Sequence, residues 1–286
     1  MSTLVFMRAR LEKFKEHIRK VSIKWALKEQ KLKDIYHELC TIVSDISDQY
    51  SSFRIDNDYL KLKVRAQHSF QMSLLKEAID FLSKDLKEEN EITIVDIGDS
   101  AGTHIAYAKG LMRDRNLRCI SVNLDAKAVE KIRKKGFEAI CAKAEDIASM
   151  DIDADIFLSF EMLEHLSDPC VFLSNLSLKG NCKYFIVTVP YVKKSRVGLH
   201  HIRQGLKKKV NPENTHLYEF SPEDWKLIFK HCGWSVEKER IYLQYPRKTC
   251  LSSLMVKYWK KNDFEGFYGV ILKRDPYWRD MYNGWQ

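Results

Sequence analysis

The first glycine of the chain is Gly98 and the first proline is Pro169. Ninety-seven residues without either breaker point to long helices at the start. No apolar run approaches the ~20 residues of a membrane-spanning helix. The opening MSTLVFMRARLEKFKEH meets charge too early to hold a secretory apolar core, so no signal peptide is expected. Seven cysteines (40, 119, 141, 170, 182, 232, 250) form no C-x-x-C pair and are odd in number. They read as reduced packing residues of a cytosolic protein and argue against a structural zinc. The chain also lacks G-x-G-x-x-G and G-K-[ST] loops, which counts against nicotinamide, flavin and phosphate-grasping chemistry. With 45% apolar residues in 286, a sizeable core is available and global disorder is excluded.

What fills the breaker-free start is a seven-residue repeat. Leu4, Leu11, Ile18, Trp25, Leu32, Leu39, Ile46 and Phe53 interleave with Met7, Phe14, Val21, Lys28, Ile35, Ile42 and Gln49. Only Lys28 and Gln49 interrupt the stripe. A strict 3.5 period keeps one seam toward a partner helix, so residues 1–55 are expected to form a coiled coil. Early flanking residues are basic and later ones acidic, which favours an antiparallel or heteromeric pairing. The alternative is an amphipathic helix lying on its own domain. Residues 56–90 read as a second helix leading into residues 91–275, with 276–286 as a tail.

Charge is uneven. The net charge is +9, yet residues 181–286 hold 20 basic and 10 acidic residues. Lys193, Lys194, Arg196, Arg203, Lys207, Lys208 and Lys209 occur without an intervening acid. Such a field favours an anionic partner: a charged substrate, an anionic membrane surface or nucleic acid.

From residue 91, strands and helices alternate. Strands are expected at Ile92–Ile97, Arg118–Leu124, Glu138–Ala142, Asp155–Phe160 and Tyr184–Val189, and later at Ser235–Tyr242 and Phe267–Lys273. Ser221-Pro222-Glu223-Asp224 is a helix start, with a Ser cap, Pro at the first position and acids at the positive dipole end. The alternation predicts a Rossmann-like α/β fold whose parallel strands are covered by helices on both faces. Ligands then bind beyond the carboxyl ends of the strands.

Those ends carry polar residues in order. After strand one stands VDIGDSAGTH, where Gly98 and Gly102 let backbone approach a ligand at a helix N-terminus. Asn123 ends strand two, where such folds meet a ribose. Asp125 is its ionised alternative, or merely the cap of the next helix. Glu145 and Asp146 follow strand three and are able to accept from an adenine amino group. Phe160-Glu161-Met162-Leu163-Glu164-His165-Leu166-Ser167-Asp168-Pro169 follows strand four.

Taken together these segments resemble class I S-adenosylmethionine-dependent methyltransferases. That family pairs a D-x-G-x-G-x-G loop and an acid ending strand two with an LEH-x-x-D-P segment after strand four. The resemblance covers residues 91–273. It implies a seven-stranded sheet closing on an antiparallel hairpin. It further implies that Asp96, Gly98, Ser100 and Gly102 meet the methionine moiety, Asn123 the ribose, Glu145 and Asp146 the adenine, and Phe160 and Glu161 the cleft floor. Two departures stand out: Ser100 replaces the middle glycine, and Asn123 replaces the acid.

For the acceptor side, transfer to oxygen needs positioning and a general base. His165, His200, His201 and His216 are candidates, with His201 or His216 favoured. Arg196 and Arg203 are candidates for binding an anionic acceptor. The Asn/Asp-Pro-Pro-Tyr segment of amino-group methylators is missing, which favours oxygen. Residues 188–203 and 214–234 resemble, more loosely, methyltransferases of bacterial surface-polysaccharide biosynthesis. That likeness implies an acidic or phosphorylated sugar acceptor. It also implies a coiled-coil partner, self or another glycan-assembly protein, and peripheral contact at the inner face of the membrane. Two other readings remain. One is an RNA-modifying enzyme, from basic residues interleaved with Tyr242, Tyr245, Tyr258, Trp259 and Phe264. The other is a catalytically inactive scaffold on the same fold. No ligand spacing demands a metal.

Overall fold

The computed structural model describes residues 2–50, 53–83, 90–99, 101–150, 152–205, 210, 215–249, 252–262 and 264–281. Three helices come first: α1 (Ser2–Glu29), α2 (Lys33–Ile42) and α3 (Asp58–Leu82). Then β1 (Ile92–Ile97), α4 (Thr103–Leu111), β2 (Leu117–Asn123), α5 (Ala126–Lys134), β3 (Glu138–Cys141), β4 (Ile156–Phe160), α6 (Pro169–Lys179) and β5 (Tyr184–Pro190) alternate. A short ladder, β6 (Arg196–Val197) with β7 (Tyr218–Glu219), flanks α7 (His200–Arg203). The chain closes with α8 (Pro222–His231), β8 (Trp234–Leu243), α9 (Ser252–Asn262), β9 (Gly266–Arg274) and α10 (Pro276–Asp280).

The sheet has seven strands in the order β3-β2-β1-β4-β5-β9-β8. Strands β1 to β5 are parallel, and β9 enters antiparallel between β5 and β8. This is the expected doubly covered fold with its terminal hairpin. The central strands β1, β4 and β5 are buried nearly throughout, as parallel strands between two helical layers must be. One layer packs Phe172, Trp225, Phe229 and Trp234 against the sheet. The other packs Ile23, Leu27, Phe70, Leu74 and Trp259. Helix α3 lies hard on β9 because residue 269 is glycine: a Cβ there would sit 2.5 Å from Leu74 Cδ1 and 2.7 Å from Phe70 Cζ. Ser221 caps α8 by accepting from the Asp224 N–H, as its sequence predicts.

The N-terminal stripe behaves in two halves. Instead of one helix over 1–55, the chain turns at Lys31, which holds a left-handed φ of 57°. Beyond the turn, Leu32 and Leu39 are buried in the shared core, and Ile46 packs with Ile55 and Val64. That half of the repeat therefore serves the chain's own fold. Before the turn, Met7, Leu11 and Phe14 stay exposed, while α1 buries Ile23, Ala26 and Leu27. Helix α1 is anchored far along the chain. Trp259 Nε1 donates to Ser22 Oγ at 3.0 Å, Ser22 Oγ donates to the Gln244 carbonyl at 2.9 Å, and Glu29 accepts from the N–H groups of Arg247 and Lys248. A lysine gives no local signal for a left-handed turn, so a periodic pattern runs across it unbroken. No helix among the described residues is long and apolar enough to cross a membrane.

Candidate functional site

Strand β1 delivers Asp96 to the carboxyl edge and then turns through Gly98 at φ 99°. A side chain is strained at that angle, and a Cβ would sit 3.4 Å from Met162 Cγ. Asp99 folds the loop on itself, its Oδ1 accepting from the N–H groups of Ala101 at 3.3 Å and Gly102 at 3.0 Å. Gly102, at φ 71°, starts α4. Ser100 lies outside the described residues.

Helix α4 then places His104 directly over the strand. Its Nδ1 is 2.9 Å from Asp96 Oδ2 and 3.9 Å from Asp99 Oδ1, with all three residues buried. Burial pushes the Asp96 carboxyl above the usual carboxylate range against the pull of His104. Burial works against a charged His104, but the Asp96 charge and hydrogen bond outweigh it and raise its pKa. Helix α3 adds His68, edge-on to His104 with ring centroids 4.8 Å apart, and Gln71, whose Nε2 donates to Thr188 Oγ1 at 3.0 Å. Burial and the neighbouring His104 and Arg65 hold His68 neutral, well below its ordinary range.

At β2, Asn123 is engaged inward: Nδ2 donates to the Asp99 carbonyl at 3.2 Å and Oδ1 accepts from the Asp125 N–H at 2.7 Å. Asp125 caps α5 through the Lys127 N–H. Glu145 and Asp146 are exposed on the turn after β3. A cavity of about 410 Å³ borders this edge, lined by Asp45, Asp48, Arg54, Gly102, Thr103 and Lys135 among others.

Strand β4 ends at buried Phe160, edge-on to His104 at 5.0 Å. Glu161 follows in a left-handed conformation, φ 53°. For a non-glycine residue this costs roughly 1–3 kcal/mol, and such strain persists at sites that need it. Burial raises the Glu161 carboxyl far above its ordinary range, against a hydrogen bond from Thr188. One turn on, Glu164 is 1% exposed, and neither of its carboxyl oxygens has a hydrogen-bond partner among the described residues. Burial first, and then the charge of Glu161, drive it well above the carboxylate range.

His165 donates through Nδ1 to the Thr215 carbonyl, 2.9 Å away, and its ring meets His216 edge-on at 4.8 Å. His216 Nδ1 lies 3.1 Å from Glu219 Oε1. Burial would raise Glu219, but its bonds to His216 and Arg196 bring its pKa down to about 2. Arg196 Nε holds the other Glu219 oxygen across the β6–β7 ladder, and His200 Nε2 is 3.4 Å from Oε1. The structure thus gathers Glu164, His165, His216, Glu219 and Arg196. His201 stands apart on α7, its buried Nδ1 without a partner among the described residues. Arg203 donates to the Val197 carbonyl. Arg196, read from the sequence as an anion-binding cation, is tied to Glu219.

The sheet order, the glycine turn after β1 and the acid-and-histidine segment after β4 agree with a comparison against known families. A family model described as "Methyltransferase domain" matches residues 67–239. The chain belongs to this methyltransferase family. No curated protein matches the methyltransferase. Among solved structures it is similar to a Galdieria sulphuraria protein assigned as a sarcosine dimethylglycine methyltransferase, at TM-score 0.53 and 11% identity, over 76% of this chain and 87% of that one. It is also similar to Burkholderia thailandensis 1,6-didemethyltoxoflavin-N1-methyltransferase, solved with S-adenosylhomocysteine, at TM-score 0.46 and 12% identity, over 74% and 85%. At such identities the likeness is one of fold.

Several site residues of the methyltransferase went unmarked in the sequence. His104 stands two positions past Gly102 on the first turn of a helix, and Glu219 follows His216 at i+3; both were legible signals. Glu164 was visible as the middle of LEH. His68 and Gln71 had none, since their partners lie on other elements; the Gln71–Thr188 bond spans 117 residues.

Proposed function

We propose that this methyltransferase uses S-adenosylmethionine to methylate a hydroxyl group of an anionic sugar or polysaccharide. The crevice suits a cationic nucleoside. Asp96 Oδ1, Asp99 Oδ2 and Glu161 Oε1 are buried without a donor among the described residues. Buried carboxyl oxygens left unpaired are expensive, and a ligand carrying an ammonium and a sulfonium would favour their ionised form and relieve them. Gly98 and Gly102 keep the adjoining backbone bare. The cofactor supplies an electrophilic methyl group. The protein's own task is to hold an acceptor oxygen in line with it, to exclude water and to take up a proton.

The observation that carries the oxygen reading is the His165–His216 pair, set beside the Glu161–Glu164 turn at the end of β4. Imidazoles there are placed to take the proton of a hydroxyl, with His201 in reserve on α7. Lys193, Lys194 and Arg203 are exposed on the segments around β6 and α7, and such cations suit a carboxylated or phosphorylated sugar. The exposed Met7, Leu11 and Phe14 ridge would pair with a helix of a second copy or of another glycan-assembly protein, at the inner membrane face. The RNA reading loses support: Tyr242, Tyr245 and Trp259, its stacking platforms, are 1%, 3% and 0% exposed.

The test is transfer of labelled methyl from S-adenosylmethionine to a panel of carboxylated sugars, glycan lipids and RNA. Label in the sugars supports the proposal. Label in RNA alone overturns the acceptor, and absence of heat on titrating S-adenosylhomocysteine overturns the enzyme in favour of a scaffold.

A further inference from the structure

The cluster after β4 has the build of a metal site. One donor atom each from Glu164, His165 and His216 lies within 4.8 Å of the others. Glu164 is the telling member, because a fully buried carboxyl whose two oxygens have no hydrogen-bond partner among the described residues is costly unless protonated or bound to a cation. Its surroundings are those of a ligand set. Metal-bound histidines engage their second ring nitrogen with a carboxylate or backbone carbonyl, which fixes ring and tautomer. Both patterns are present: His165 Nδ1 meets the Thr215 carbonyl, and His216 Nδ1 meets Glu219, itself held by Arg196. That arrangement makes Nε2 the coordinating atom in each ring, and His165 Nε2 is 3.9 Å from Glu164 Oε1. The two segments are fastened together by the Leu217 N–H on the Glu164 carbonyl at 2.7 Å and by the Tyr218 hydroxyl on the Ser167 carbonyl at 3.1 Å.

We propose that Glu164, His165 and His216 bind a divalent transition-metal ion. Two imidazoles and a carboxylate suit manganese, iron(II) or zinc rather than calcium. Ligand bonds of ~2.0–2.2 Å require the three side chains to draw together by about 1 Å. Three protein ligands leave positions open. On the hydroxyl-methylation reading, an acceptor hydroxyl fills one of them, and the ion lowers its pKa so that its proton leaves to water. His165 and His216 would then act as ligands rather than as the base. Glu161, whose Oε1 is also without a partner among the described residues, stands beside the ion and would carry a negative charge only where the ion draws off its proton.

The experiment uses the full chain, stripped with chelator, without cofactor or acceptor. Cobalt(II) is titrated and followed by its visible absorption, and manganese(II) by electron paramagnetic resonance. One tightly held ion per chain is expected. Glu164→Gln, His165→Asn and His216→Ala should each weaken binding by about tenfold or more. His37→Ala, an exposed histidine on α2, should leave it unchanged. Circular dichroism checks that the variants fold. If the wild type binds no ion, or binds as well after Glu164→Gln, the site is overturned whatever the variants do elsewhere. Metal binding without methyl transfer to any hydroxyl would sink the acceptor reading and leave the site standing. Undiminished transfer in chelator, with no cobalt spectrum, would do the reverse.

Discussion

Two histidine–carboxylate clusters lie along the same sheet edge, and they are built for different work. At the end of β1, His104 is bonded directly to Asp96, and Asp99 spends one oxygen on loop N–H groups. That cluster satisfies itself inward and, among the described residues, leaves Asp96 Oδ1 and Asp99 Oδ2 without a donor. After β4, no acid bonds His165 directly through Nδ1; a backbone carbonyl does. Its carboxylate contact is reserved for the outer position, where Glu219 steadies His216. The first cluster is an anionic pocket with an internal proton, the second a set of oriented donors. The lesson is that burial alone does not assign a role. What matters is which ring nitrogen is already engaged, and by what.

The sharpest break of this comparison is His216→Ala. It should lower the methylation rate by roughly 10²–10⁴, as loss of a group acting on the acceptor's proton does, with cofactor affinity intact. Single-turnover transfer and S-adenosylhomocysteine titration together read it; an unchanged rate removes the β4 cluster from the chemistry. Asp96→Asn acts on the other cluster and on stability. It removes the carboxylate bonded to buried His104 and leaves only Asp99 at 3.9 Å, a change that costs about 3 kcal/mol when a buried pair is broken. Thermal unfolding should show Tm down by roughly 6–10 °C. A shift under about 1 °C would mean that the pair carries no charge at neutral pH. Glu219→Gln should be milder, a 10- to 100-fold loss in rate, because it removes the steadying partner and not the imidazole. An exchange at Glu219 as damaging as His216→Ala would show that the carboxylate itself is at the reacting centre.

The contrast was half legible before the structure. Glycine and proline punctuation placed β1 at Ile92–Ile97 and the α8 start at Ser221, because strand period and cap chemistry are local. The β4 acids and His165 were visible as one segment, and His216 as a lone histidine; their meeting depends on the β6–β7 ladder, which two-residue strands do not announce. Arg196 read as a free cation because its partner, Glu219, lies 23 residues on. The heptad stripe misled for a related reason. Leu32 and Leu39 keep the seven-residue spacing across the Lys31 turn, yet they face α3 rather than a partner helix. Periodicity reports which residues want burial and is silent on what buries them.

The smallest expected effect tests why two buried histidines 4.8 Å apart titrate in opposite directions. His68 faces His104, Tyr107 and Arg65, with no acid among them, and its pKa is depressed by burial and by those cations. A depressed native pKa contributes stability above the unfolded value of about 6.5, and that stability is lost as pH falls below it. His104 and Asp96 are raised, so their contribution is present at low pH and lost as pH climbs through their native values. In the wild type the Asp96 trend opposes that of His68 below about pH 6, while the His104 trend lies above its unfolded value of about 6.5. His68→Leu keeps an apolar body in the slot and deletes only the first trend. Unfolding free energy, followed by denaturant titration from pH 7 to pH 5, should then fall less steeply than in the wild type, by up to about 1.4 kcal/mol per pH unit for one proton. Parallel curves would mean that His68 is protonated in the folded state, and the neutral wall behind the anionic pocket would have to be redrawn as a cation.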